Sequence, residues 1–203
     1  MVSLDEVVKY LDLELKTASI PDYSGAMNGL QLANSGKIGR VVAAVDASLP
    51  VIEKAAAGGP GLLIVHHGMF WQGTQPVTGA FYKKLKIAIE ADLAIYSSHL
   101  PLDVHPEWGN NILLARAIGL ENPTPFLQQK GMAMGLRGKW TGTRAELAES
   151  LQNILGGRVH LCPGGSETVS EVGVITGGAG SEVLKVVAEG VDAFVTGEGP
   201  HWS

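Results

Sequence analysis

LLIVHHGMF, residues 62–70, is the stretch on which the reading of this chain turns. Leu62 to Val65 form a short, wholly apolar run, the pattern of a strand buried on both faces, and His66 and His67 stand where it ends. Along an extended strand successive side chains point to opposite faces, so two adjacent imidazoles cannot both belong to one core. A turn directly after Val65, helped by Gly68, would let both rings lean into one cleft. There they could hold one metal ion, or one ion each. The competing reading is a hydrogen-bonded structural pair.

Strands and helices alternate on both sides of this stretch. Arg40–Val45 reads as a strand, Leu49–Ala57 as a helix closed by Gly58-Gly59, and Leu62–Val65 as the second strand. Gly79–Ala91 is an amphipathic helix with Phe81, Leu85, Ile87 and Ile89 inward. Leu93–Ser97 is the third strand, and Asn110–Ile118 the next helix. Short apolar strands separated by helices predict a parallel sheet covered on both faces. Residues 120–130, with Pro123 and Pro125, read as a boundary between two α/β lobes, 1–125 and 126–203. In the second lobe strands are expected near Met132–Leu136, Arg158–Leu161, Val172–Thr176 and Ala193–Thr196. Helices are expected over Ala145–Ile154, opened by Thr143 and Glu146, and over Glu182–Glu189. The fold class is therefore α/β, two lobes with mostly parallel sheets.

Composition narrows the function. Against 15 Lys and Arg stand 20 Asp and Glu, a formal charge of −5, so the chain has no basic footprint for nucleic acid. A single cysteine, Cys162, excludes an intrachain disulfide, suits a reducing cytosol, and reads as a small buried or half-buried residue. The opening MVSLDEVVKYLDLELK is an amphipathic helix with a Ser3–Glu6 capping box and no secretion signal, and no run has the ~18 apolar residues of a membrane span. The expected location is the cytoplasm.

The third strand runs into SSHLPLDVHPEWGNN, residues 97–111, which places His99, Asp103 and His105 past its C-terminal end. His66 and His67 lie past the same end of the second strand, the edge at which open parallel sheets bind ligands. Imidazoles with a carboxylate suit zinc, iron or manganese. Each residue also has a plainer reading: Asp103 as a turn cap, His105 as a solvated loop residue, His99 as a core histidine or a partner holding Asp103. TGGAGS, residues 176–181, reads as a tight turn with Ser181 capping a helix rather than a phosphate loop. Asn28-Gly29-Leu30-Gln31 reads as a turn. Asp46 either orients a ligand or caps the next helix, and Glu198 ends a strand where an acid or base can sit. No nucleophile elbow is present, and no catalytic residue is assigned.

NGLQL (28–32), VDAS (45–48), HHGMFW (66–71), SSHLPLDVHPEWGNN (97–111), ITGGAGS (175–181) and DAFVTGE (192–198) together resemble the Nif-three-like family, whose bacterial members are described as type 2 homologues of GTP cyclohydrolase I. The resemblance runs in order along the chain. It implies a two-lobed α/β fold, two divalent ions per subunit, and a toroidal homohexamer with its metal sites facing the cavity. By motif position it carries the family's metal ligands over to His66, His67 and Asp103. It implies a metal-dependent hydrolase on a small, nucleotide-like molecule, in the cyclohydrolase version by opening the guanine ring with release of formate. A non-enzymatic metal-binding, metal-homeostasis or assembly protein is the alternative. In the family a GHxxxE segment follows the strand ending in TGE and completes the metal site. This sequence ends at His201-Trp202-Ser203, so that segment is expected to be absent, and His201 is not assigned in its place.

Overall fold

A computed structural model describes residues 2–71, 73 and 75–201. Internal contacts divide the chain into two units, residues 1–102 and 103–203.

The first unit opens with β1 (Val2–Ser3) and α1 (Leu4–Glu14). The expected capping box is present, Ser3 accepting from the Glu6 amide and Glu6 accepting from Ser3. There follow β2 (Gly29–Leu32), β3 (Lys37–Ile38), β4 (Val41–Asp46), α2 (Leu49–Ala56), β5 (Gly61–His67), α3 (Gly79–Glu90) and β6 (Leu93–Ser97). The main sheet has the order β2-β6-β5-β4. Its β6, β5 and β4 are parallel, joined by crossovers through α2 and α3, while β2 joins β6 antiparallel. Residues 29–31, read from the sequence as a turn, thus belong to an added strand.

The two central strands are apolar throughout because both faces are covered. Leu63, Val65 and Ile95 face one core with Ile52 and Ala88 of the helices, while Leu62, Ala94 and Tyr96 face another with Leu4 and Ile38. On α3 the fully buried residue is Ala88, and Ile89 is exposed, the reverse of its expected placement.

A single turn, α4 (Leu100–Asp103), leads to α5 (Asn110–Ala117), β7 (Glu121–Gln129), β8 (Met132–Thr143), α6 (Arg144–Leu155), β9 (Thr168–Ile175), α7 (Val183–Ala188) and β10 (Ala193–Thr196). The order β10-β9-β8-β7 is antiparallel except for the parallel β9–β10 pair. The α/β class holds, with mixed rather than mostly parallel sheets. Lys130 and Gly131, both at positive φ, join β7 to β8 by a two-residue hairpin turn, which forces antiparallel pairing. The proline-rich segment read as a boundary is thus a strand, and the expected boundary near residue 125 stands inside the second unit. Thr143 and Glu146 cap α6 as expected. No strand forms over 158–161: Gly156 ends α6 in the left-handed region and residues 157–167 are irregular. Cys162 is exposed there, not buried.

Candidate metal centre

His66 and His67 close β5, and His99 follows β6 after two buried serines. Strand β5 continues through His67 instead of turning after Val65. The rings nevertheless converge past the end of the packed sheet core. The centroids of His66 and His67 are 4.8 Å apart, of His66 and His99 4.9 Å, and of His67 and His99 5.7 Å. One nitrogen from each ring lies within 4.8 Å of the others. Gly68 matters for space: a Cβ there would strike the amide of Gln31, whose Oε1 accepts the Met69 N–H at 2.7 Å.

The Nδ1 atom of each ring has its own acceptor. His66 Nδ1 lies 2.9 Å from the Ser98 carbonyl oxygen, His67 Nδ1 2.7 Å from Asp46 Oδ1, and His99 Nδ1 2.9 Å from Asp22 Oδ1. A carbonyl or carboxylate can only accept, so Nδ1 donates in each ring, and in the neutral form of the ring Nε2 carries the lone pair. That assigns the coordinating role to Nε2, the arrangement in which outer partners fix the tautomer of metal-binding histidines.

Asp22 anchors the most buried ring and was not legible in the sequence. It stands in the irregular segment after α1, 77 residues from His99, with no motif spacing to mark it. Its Oδ1 also accepts the Tyr23 N–H at 2.7 Å, and its Oδ2 accepts from Asn28 Nδ2 at 2.8 Å and the Leu100 N–H at 3.1 Å. Burial pushes this carboxyl's pKa up. The hydrogen bonds from His99, Asn28 and Tyr23 together outweigh burial and hold it below the usual aspartate value. Asn28 completes the bracket by accepting the His99 N–H at 2.8 Å. Trp71 sets its ring edge-on to His99 at 4.6 Å.

With this geometry in view, the comparisons are decisive. The model of the family Duf34/NIF3 (NGG1p interacting factor 3) matches residues 2–202. The chain belongs to the Duf34/NIF3 family. A curated relative from Deinococcus radiodurans, named GTP cyclohydrolase 1 type 2 homolog, is 38% identical over 98% of this chain and 76% of its own length. Crystal structure TTHA1606 from Thermus thermophilus superposes with TM-score 0.88 at 34% identity, covering 98% of this chain and 79% of that one. The protein ybgI, whose function its structure's description gives as unknown, superposes with TM-score 0.90 at 34% identity, covering 98% and 80%.

The other residues singled out in the sequence fall as follows. Asp46 orients His67 and is not a helix cap; Ser48 holds that position. Asp103 is buried, the first residue of the second unit, and accepts from Asn110 Nδ2 at 2.7 Å. His105 is a loop residue, its Nδ1 accepting the amides of Glu107 and Trp108 and its ring stacked on Trp108. The 176–181 turn is structural: the amides of Ala179 and Gly180 donate to Thr196 Oγ1 and the Glu198 carbonyl. Ser181 lies within a 3-10 turn, Gly180–Glu182, and caps nothing. Glu198 is exposed beside that turn. No helix among the described residues is long and apolar enough to cross a membrane.

Proposed function

We propose that this protein holds a divalent metal ion on Nε2 of His66, His67 and His99 and acts as a metal-dependent hydrolase on a nucleotide-like small molecule. The observation that carries the reading is the convergence of three imidazoles, one nitrogen of each within 4.8 Å of the others, with every Nδ1 already committed to an acceptor. Neutral nitrogen donors in this number suit zinc or iron, and manganese when carboxylates join them. Asp103, the ligand carried over by family motif, is the carboxylate proposed to join them, and a second ion per subunit would draw on it. The oligomer, taken as a hexamer by resemblance, belongs to the same proposal; light scattering of a chain that returns a monomer mass would remove it.

A bound ion supplies Lewis acidity, which activates water and polarises the centre under attack. The chain's own residues do the rest. Asp22 and Asp46 hold two rings in the coordinating tautomer, and the Ser98 carbonyl holds the third. Trp71 shields one side of His99 from water. The relatives' name makes GTP the first substrate to test. Release of product from GTP by zinc-, iron- or manganese-loaded protein, abolished by chelation and restored by metal, supports the hydrolase. A protein that keeps its metal and turns over nothing belongs to the alternative, a non-enzymatic metal-binding protein.

A further inference from the structure

A cavity of about 850 Å³ opens beside the histidines, between the segment from Thr17 to Asn28 and the stretch from Phe70 to Leu85. It belongs entirely to the first unit. Two of its lining residues also serve His99: Asp22 binds its Nδ1, and the ring of Tyr23 lies 5.9 Å from its ring. The cavity therefore begins where the candidate metal centre ends.

Its lining is mixed but, Asp22 apart, uncharged. Ile20, Phe70, Phe81 and Leu85 give it apolar walls, Tyr23 adds an aromatic face, and Thr17, Ser24, Asn28 and Gln75 add neutral polar groups. Among the described residues that line it there is no Lys, Arg or His. The one charged lining group is Asp22, whose side chain is 5% exposed and whose oxygens already accept four hydrogen bonds. Phosphate groups are recognised by guanidinium and ammonium groups or by clustered amides, and repelled by carboxylates. A volume of this size admits a ring system the size of a nucleobase.

We infer that this cleft binds an uncharged, flat ring system, placing its edge toward His99, and contributes nothing to binding phosphate. The inference rests on the metal-centre reading and adds the substrate class to it. Any phosphate of a nucleotide-like substrate must then be held outside the cleft or left in solvent.

The test uses the full chain, zinc-loaded and chelator-treated in parallel, with zinc content measured on each sample. Calorimetric titration compares 1-naphthol with 1-naphthyl phosphate and guanosine with its 5′-monophosphate. In the chelator-treated protein the uncharged probe of each pair should bind at least as tightly as its phosphate ester. Ile20→Glu and Phe81→Glu, at two half-buried lining positions, should weaken both uncharged probes by about tenfold or more, as a carboxylate set in an apolar wall must, with zinc content unchanged. A phosphate ester binding tenfold tighter than its parent to the chelator-treated protein overturns the inference. So does failure of both uncharged probes to bind at millimolar concentration, or unaltered binding in the two variants. Binding that survives in protein unable to retain zinc removes the metal reading and leaves the cleft standing. Retained zinc without probe binding removes the cleft alone.

Discussion

Replacing Asp22 by Asn leaves the side chain's shape and removes its capacity to accept on both sides. The carboxylate accepts from His99 Nδ1 and the Tyr23 amide on Oδ1, and from Asn28 Nδ2 and the Leu100 amide on Oδ2. A carboxamide has one acceptor and one donor end, so whichever way it turns, two donors meet an NH₂ group. Each buried donor left without an acceptor costs ~1–3 kcal/mol. Asp22→Asn should therefore lower unfolding free energy by about 2–4 kcal/mol, allowing for some relaxation toward solvent. Lost control of the His99 tautomer should weaken zinc binding by about 10–100-fold, the usual cost of removing an outer partner of a metal-binding histidine. Asp46→Asn is the comparison. That carboxylate is 62% exposed, so its 2.7 Å bond to His67 is screened by water and should contribute no more than about 1 kcal/mol. Urea unfolding of the metal-free proteins gives the first quantity, and competition with a chromophoric chelator gives the second. If Asp22→Asn matched wild type in both, or cost less than Asp46→Asn, the account of how His99 is held would be wrong.

Gly68→Ala should destabilise the fold by about 1–3 kcal/mol in thermal or urea unfolding, because its Cβ displaces the Gln31 amide from its hydrogen bonds with the Met69 N–H and the Met27 carbonyl. The hydrogen bonds of Thr143, backbone amide first and hydroxyl second, hold the Glu146 carboxyl below its ordinary value. A lowered folded pKa means stabilisation that is present above the unfolded value and lost as pH falls through the folded one. The stability gap between wild type and Glu146→Gln should accordingly be constant near neutrality and close in acid; a gap unchanged in acid contradicts the capping role. Asp103→Asn should lower the metal content retained after dialysis, read by elemental analysis, and an unaltered content excludes Asp103 as a ligand.

The alternation of strands and helices was legible because β5 and β6 are covered on both faces, which writes them into the sequence as unbroken apolar runs. Capping boxes at Ser3 and Thr143 were equally plain, being local. Strand β7 was hidden by Pro123 and Pro125, residues that break a central strand. It is an edge strand, where a missing amide costs no ladder bond, and its register shifts between Glu121 and Thr124. The stretch 158–161 misled in the opposite direction, an apolar alternation with no strand to pair with. At the metal centre, His66 and His67 were marked by position, whereas His99 had two open readings and Asp22 none. Their pairing depends on segments 77 residues apart and leaves no periodic trace.

The most direct test of the central claim is metal content, by native mass spectrometry and elemental analysis, of wild type beside His66→Ala, His67→Ala and His99→Ala, each loaded with zinc and dialysed. The rings share one centre, their donor atoms within 4.8 Å. Each substitution should therefore strip the ion that wild type retains, while circular dichroism shows the fold intact. His99→Ala should be as damaging as the other two. Wild type that keeps no zinc, or a folded His99→Ala protein that keeps its full complement, would contradict the three-histidine centre.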